Sequence, residues 1–125
     1  MEKKVLHFGD GELVIMQVLW RAQEALSTAA INHAVAERGW KRTTVSTFLT
    51  RLTEKGAVTA EKRGAQYFYT PAVVESDYRR AQTGQLVDTL FGGSVTALAA
   101  SLFEDASLSA EDVQQLRSII ERCTQ

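Results

Sequence analysis

A single cysteine, a single proline, two histidines and no long apolar run narrow what this 125-residue chain can be. One thiol, Cys123, forms no internal disulfide, which fits a reducing cytosol. No apolar stretch approaches the ~18 residues a membrane span needs, so no membrane insertion is expected. Lys3 and Lys4 are not followed by an apolar core, so no signal peptide is read. His7 and His33 lie far apart, and no Cys/His spacing suggests zinc. Gly9-Asp10-Gly11 and Gly92-Gly93 are too sparse for phosphate loops. No Ser-His-Asp or Cys-His set can be assembled, and Glu111-Asp112 suits a helix start rather than an acid/base pair. The expectation is therefore a cytoplasmic protein that is not an enzyme and needs no cofactor or metal.

What is present suits a compact, helix-rich fold: 45% of the residues are hydrophobic, enough for one or two small domains. The net charge of −1 conceals an uneven distribution. Residues 1–40 carry −1, residues 41–63 carry +4, and residues 64–125 carry −4. A basic island in an acidic chain is a local electrostatic footprint, of the kind that meets nucleic acid. The bland alternative is a solvated helix face.

Asp10 is a plausible N-cap for a first helix carrying Leu13, Met16, Val18, Leu19 and Trp20. Ser27 opens a second, with Ala30, Ile31, Ala34 and Val35, which stops near Gly39. Trp40 reads as core. Thr43 starts a third helix whose buried stripe is Val45, Phe48, Leu49 and Leu52, ending at Gly56. Residues 57–62 and 66–70 read as two strands joined at Arg63-Gly64-Ala65. Three helices and a hairpin make a winged helix-turn-helix over residues 1–71, with Pro71 at its edge.

Residues 72–125 follow a different pattern. Ser76 or Asp77 caps a helix carrying Tyr78, Leu86, Val87, Leu90 and Phe91, and Gly92-Gly93 breaks it. Ser94 caps a second, with Val95, Leu98, Ala99, Leu102 and Phe103. Ser109-Ala110-Glu111-Asp112 resembles a capping box opening a last helix with Val113, Leu116, Ile120 and Cys123 on one stripe. So small a helical region buries too little of its own surface to be secure alone. Pairing with a copy of itself is expected, through Leu86, Leu90, Phe91, Leu98, Leu102, Leu116 and Ile120. The fold class is thus mainly α with a small β hairpin, a winged helix followed by a helical dimerisation region.

The third helix supplies what groove reading needs. Arg42, Thr43, Thr44, Ser46, Thr47, Thr50 and Arg51 are small polar or basic residues outside its apolar stripe. Arginine pairs with both major-groove acceptors of guanine, and threonine bonds a base edge or packs against the thymine methyl. Lys41, Lys55 and Lys62 suit phosphate anchoring. Arg63-Gly64 suits a wing tip, since glycine permits the turn and arginine favours a negative groove. Tyr67, Phe68 and Tyr69 read first as hairpin core, with a hydroxyl of Tyr67 or Tyr69 near a phosphate. The alternative to DNA binding is a winged-helix protein-interaction module, which would not need the basic island.

These stretches together carry a resemblance: Glu12-Leu13-Val14-Ile15-Met16-Gln17-Val18-Leu19-Trp20, Gly39-Trp40-Lys41-Arg42-Thr43-Thr44-Val45, Leu49-Thr50-Arg51-Leu52-Thr53-Glu54-Lys55-Gly56, Tyr67-Phe68-Tyr69-Thr70-Pro71, Leu90-Phe91-Gly92-Gly93-Ser94-Val95 and Leu108-Ser109-Ala110-Glu111-Asp112-Val113. In words and in order the chain resembles the penicillinase-repressor family, the BlaI/MecI/CopY group of bacterial winged-helix repressors. The resemblance implies a homodimer on a two-fold symmetric operator with TACA/TGTA-like half-sites. It also implies autorepression and repression of resistance or stress genes. By position Arg42, Thr43, Thr44, Ser46, Thr47, Thr50 and Arg51 match the family's recognition helix, Arg63-Gly64 its wing, and residues 75–122 its dimerisation helices. Members switched by β-lactams are cut at an Asn-Phe bond by a membrane-bound sensor protease, and Ser101-Leu102 stands at that position here. Copper-responsive members carry paired Cys-x-Cys motifs, whereas this chain has only Cys123.

Overall fold

The computed structural model describes residues 6–104 and 108–123. Lys3 and Lys4, read above for a leader, lie outside them. The chain divides into two compact units, Met1–Gln82 and Thr83–Gln125.

The first unit opens with α1 (Asp10–Ala22), then β1 (Leu26–Ser27), α2 (Thr28–Ala34), a 3-10 turn (Ala36–Arg38) and α3 (Arg42–Glu54). A hairpin of β2 (Val58–Arg63) and β3 (Gln66–Pro71) follows. The helix starts differ from the sequence reading. Gly9, not Asp10, is the N-cap of α1, and its N–H donates to Glu12 Oε1 at 2.8 Å. Lys41, not Thr43, is the N-cap of α3 and offers no side-chain cap. Ser27 caps α2 as expected, accepting from the Ala30 N–H at 3.1 Å. Gly39 sits in the left-handed region (φ 69), where a side chain would be strained.

The buried side of α1 is Glu12, Ile15, Met16 and Leu19, with Leu13, Val18 and Trp20 only partly covered. These meet Ile31 from α2 and Val35 just after it, Val45, Leu49 and Leu52 from α3, and Ala57 and Val58 at the hairpin base. Removing several such side chains from water, each worth ~1.5–3 kcal/mol, is the main force on this unit.

The hairpin forms where anticipated, but Arg63 ends β2 in register with Gln66 instead of lying in the turn, which leaves a two-residue loop at Gly64-Ala65. Gly64 takes φ 64 at the first loop position, as a primed hairpin turn requires. The sheet has a third strand that the periodicity does not reveal. Leu26–Ser27 pairs antiparallel with β3, in order β1-β3-β2.

The first unit continues beyond Pro71. Ala72 N–H bonds Ala57 O at 2.8 Å, and Trp20 Nε1 donates to Val73 O at 2.8 Å. The start of α4 (Glu75–Phe91) is also stitched to it. Tyr78 stacks on Phe8 with ring centroids 4.5 Å apart, and its hydroxyl accepts from the Phe8 N–H at 3.0 Å. Gln82 Nε2 donates to Leu6 O at 2.6 Å, and Gln82 Oε1 pairs with His7 Nδ1 at 3.1 Å. The helix begins at Glu75, ahead of the caps expected at Ser76 or Asp77.

In the second unit, Gly92 (φ 54) and Gly93 (φ 85) interrupt α4 where the glycine pair anticipates a break. Ser94 Oγ then accepts from the Ala97 N–H at 3.0 Å and opens α5 (Val95–Glu104). The capping box at the start of α6 (Ala110–Cys123) is formed in both directions. Asp112 N–H reaches Ser109 Oγ at 3.0 Å, and Ser109 N–H reaches Asp112 Oδ2 at 3.2 Å. Among the described residues of this unit, only Val87 is buried.

Candidate nucleic-acid interface

With 3.6 residues per turn, α3 turns Val45, Leu49 and Leu52 into the core, keeps Phe48 of the expected stripe half-buried, and leaves the opposite side to solvent. Along the exposed side run Thr43, Thr47 and Thr50, with Arg42 and Ser46 on one flank and Arg51 on the other. Thr44 departs from the sequence reading, because it is half-buried next to the inward stripe. Thr47 Oγ1 donates to Thr43 O at 2.9 Å. It therefore presents a lone pair and a methyl outward rather than a donor.

The basic groups differ in their freedom. Lys41 and Lys62 are exposed. Lys55, expected as a phosphate anchor, instead donates to Glu12 Oε1 at 2.7 Å and to His7 O at 2.9 Å, with its ammonium 5.9 Å from the Phe8 ring centre. Glu12 is almost wholly buried, and its Oε2 accepts no hydrogen bond among the described residues. Burial pushes the Glu12 carboxyl up, but the Lys55 bond, the Gly9 N–H and the charges of Lys55 and Arg51 outweigh it and hold it below its ordinary value. An uncompensated buried carboxylate is costly, so Lys55 serves the fold first.

Arg63 at the wing tip bonds Glu61 at 3.3 and 3.4 Å and lies 4.8 Å over the Phe68 ring centre. Both partners of that ion pair are exposed, so it holds the guanidinium by at most ~1 kcal/mol and yields readily to a stronger anion. Tyr67 is 48% exposed, contrary to its reading as hairpin core, while Phe68 and Tyr69 are half-buried. Trp40 is half-buried against Phe48, ring centroids 5.2 Å apart, at the entrance to α3.

Between α2, the start of α3 and the hairpin lies a groove of about 740 Å³. Thr28, Asn32 and His33 come from α2, Arg42 and Ser46 from α3, and Gln66 and Tyr67 from β3, with Trp40 at the junction. The α2 side of this groove is not legible in the sequence, because a seven-residue helix with a lone histidine carries no motif. Among the described residues no group of three or more His, Cys, Asp or Glu could hold a metal ion. No single described helix is long and apolar enough to cross a membrane.

The same arrangement of helices and hairpin exists in solved proteins. The solution structure of the DNA-binding domain of the repressor BlaI matches with a TM-score of 0.54 and 35% identity, over 62% of this chain and 94% of that one. The monomeric BlaI of Bacillus licheniformis, solved in complex with the blaP half-operator, matches with a TM-score of 0.51, again at 35% identity and over 62% of this chain and 94% of that one. In sequence, residues 8–122 match the family described as penicillinase repressor. The chain belongs to the penicillinase-repressor family. Its relatives there include the penicillinase repressor of Bacillus licheniformis, 29% identical over 95% of this chain and 93% of that protein. The methicillin resistance regulatory protein MecI of Mammaliicoccus sciuri is 25% identical over 98% and 99%. The fold of the first unit is a winged helix, and the family is one of repressors.

Proposed function

We propose that this protein is a cytoplasmic, dimeric, sequence-specific DNA-binding transcriptional repressor that acts on a palindromic operator, negatively regulating resistance or stress genes and its own operon. The observation that carries the reading is the solvent-facing side of α3, where six small polar or basic side chains stand clear of the core beside an exposed wing. A helix built this way suits the major groove, and the wing suits the adjoining backbone or minor groove. The relative solved on a half-operator supports a duplex partner for the same fold. In this reading Arg42, Thr43, Ser46, Thr47, Thr50 and Arg51 face base edges, and Lys41, Lys62, Arg63 and Tyr67 hold the backbone.

Dimerisation is proposed for the region after the winged helix. Leu86, Leu90, Leu102 and Ile120 are exposed apolar side chains in a unit whose described residues bury only Val87, and a second copy is what would cover them. The family-position bond Ser101-Leu102 is exposed on α5 but lies within helical backbone. A sensor protease would have to unwind that turn before cutting it.

The deciding experiment is a gel shift on a symmetric operator from the gene's own promoter and on scrambled duplex. Arg51→Ala should weaken operator binding by roughly tenfold or more while leaving scrambled-duplex binding within a few-fold. Equal losses on both duplexes would remove Arg51 from the reading face. No preference for any symmetric site by the unaltered protein would overturn the function and favour a protein-interaction module.

A further inference from the structure

The groove beside α3 contains a feature that base reading does not use, the imidazole of His33. It is exposed on α2 and shares the groove with Arg42, Ser46 and Tyr67. Of the ionisable groups on elements packed against α2, only Arg42 of α3 and Tyr67 of β3 line this groove with it. Arg21, Glu37 and Arg38 line a separate recess against α1, and Glu12 is held by Lys55. No carboxylate lines the groove, so nothing in it competes with an anion for the cationic groups. The side chain of His33 makes no hydrogen bond or ion pair among the described residues, which leaves it free for a ligand, while Arg42 and Ser46, in the DNA-binding reading, face the bases from the groove's edge. The groove is continuous with the start of the reading helix on one side and the wing on the other. A duplex seated on α3 would run one of its strands along it.

We infer that this groove seats a phosphodiester stretch of the operator and that His33 is a proton-linked contact within it, so that operator affinity rises as pH falls. The inference rests on the DNA-binding reading and adds a regulation to it. Histidine is the side chain whose charge ordinarily changes between pH 5 and 8, and only the imidazolium adds a cation for a phosphate to meet. The sign follows: bound DNA favours the protonated form, so the gain is complete in mild acid and fades as pH rises. Each phosphate neutralised by a cationic side chain also steepens the salt dependence of binding.

The test is operator binding by fluorescence anisotropy at pH 6 and pH 8, each across a salt series, for the full chain and for His33→Gln and His7→Gln. For the unaltered protein, Kd should fall by about three- to tenfold from pH 8 to pH 6, and the slope of log K against log salt should steepen by about 0.9. His33→Gln should lose both changes, with the same Kd and the same salt slope at pH 6 and pH 8. His7→Gln, which alters a histidine bonded to Gln82 outside the groove, should keep both. A pH-independent Kd in the unaltered protein, or a pH response that survives in His33→Gln, would overturn the inference and leave the function intact. Absence of operator preference at every pH would instead sink the function itself.

Discussion

Glu12 and Lys55 are separated by 42 intervening residues, and no spacing rule joins them. Read in sequence, Lys55 is one more cation in a basic island. In the fold its ammonium neutralises a carboxylate that is only 5% exposed, and ties the end of α3 to the start of α1. Lys55→Met should therefore cost stability before it costs affinity, by about 2 kcal/mol in urea denaturation at pH 7. That is less than the 3–5 kcal/mol of a wholly buried pair, because a third of the lysine side chain meets water. The pH dependence has a fixed sign. A carboxyl held below its ordinary value of 4.5 contributes stability above that pH and loses it as pH falls through the lower folded value. The gap between Lys55→Met and the original should accordingly close below about pH 4.5. A gap that stays constant into acid would mean the pair is not what the substitution removed. Residues like these, whose chemistry depends on a distant partner, are illegible in sequence, whereas Ser27, Ser94 and Ser109 were legible because a cap is a local bond.

At the scale of elements, α1 and α3 were visible because each sets apolar residues three and four apart, and the hairpin because Gly64 interrupts two extended runs. Two residues cannot display a period, so β1 stayed hidden. Close approach between helices was equally hidden. A Cβ added to Gly11 would lie 2.4 Å from Phe48 Cζ, at the place where α1 meets α3. Alanine is the better helix former by up to ~1 kcal/mol. Phe48, whose ring centroid lies 5.2 Å from that of Trp40, must shift to admit the methyl. Gly11→Ala should destabilise the protein by about 1–2 kcal/mol despite its helix propensity. In a Phe48→Leu background the penalty should largely vanish. A neutral or stabilising Gly11→Ala in the original background would show that the helices can slide apart at no cost.

For the whole molecule, the contrast between its two units matters most. The first has a contiguous core, whereas the described residues of the second bury one side chain and expose Leu90 at 69% and Ile120 at 60%. Sedimentation at micromolar concentration should give a dimer whose melting temperature rises with protein concentration. Leu90→Glu together with Ile120→Glu should yield a monomer with the winged helix intact by circular dichroism. A monomeric original at that concentration would refute self-association through this region. In that dimer, recognition helices about 34–36 Å apart would meet successive major grooves.

The stitches from Leu6, His7 and Phe8 to Tyr78 and Gln82 bear on how the head of this protein can be isolated. A fragment cut at Pro71, where the strand pattern ends, would strip the tyrosine lid from Phe8 and leave the Trp20 indole N–H without its Val73 acceptor. Carrying the fragment through Gln82 preserves both, so the intact packing of the head takes in the first two turns of a helix that looks, from its sequence, as if it belongs wholly to the tail.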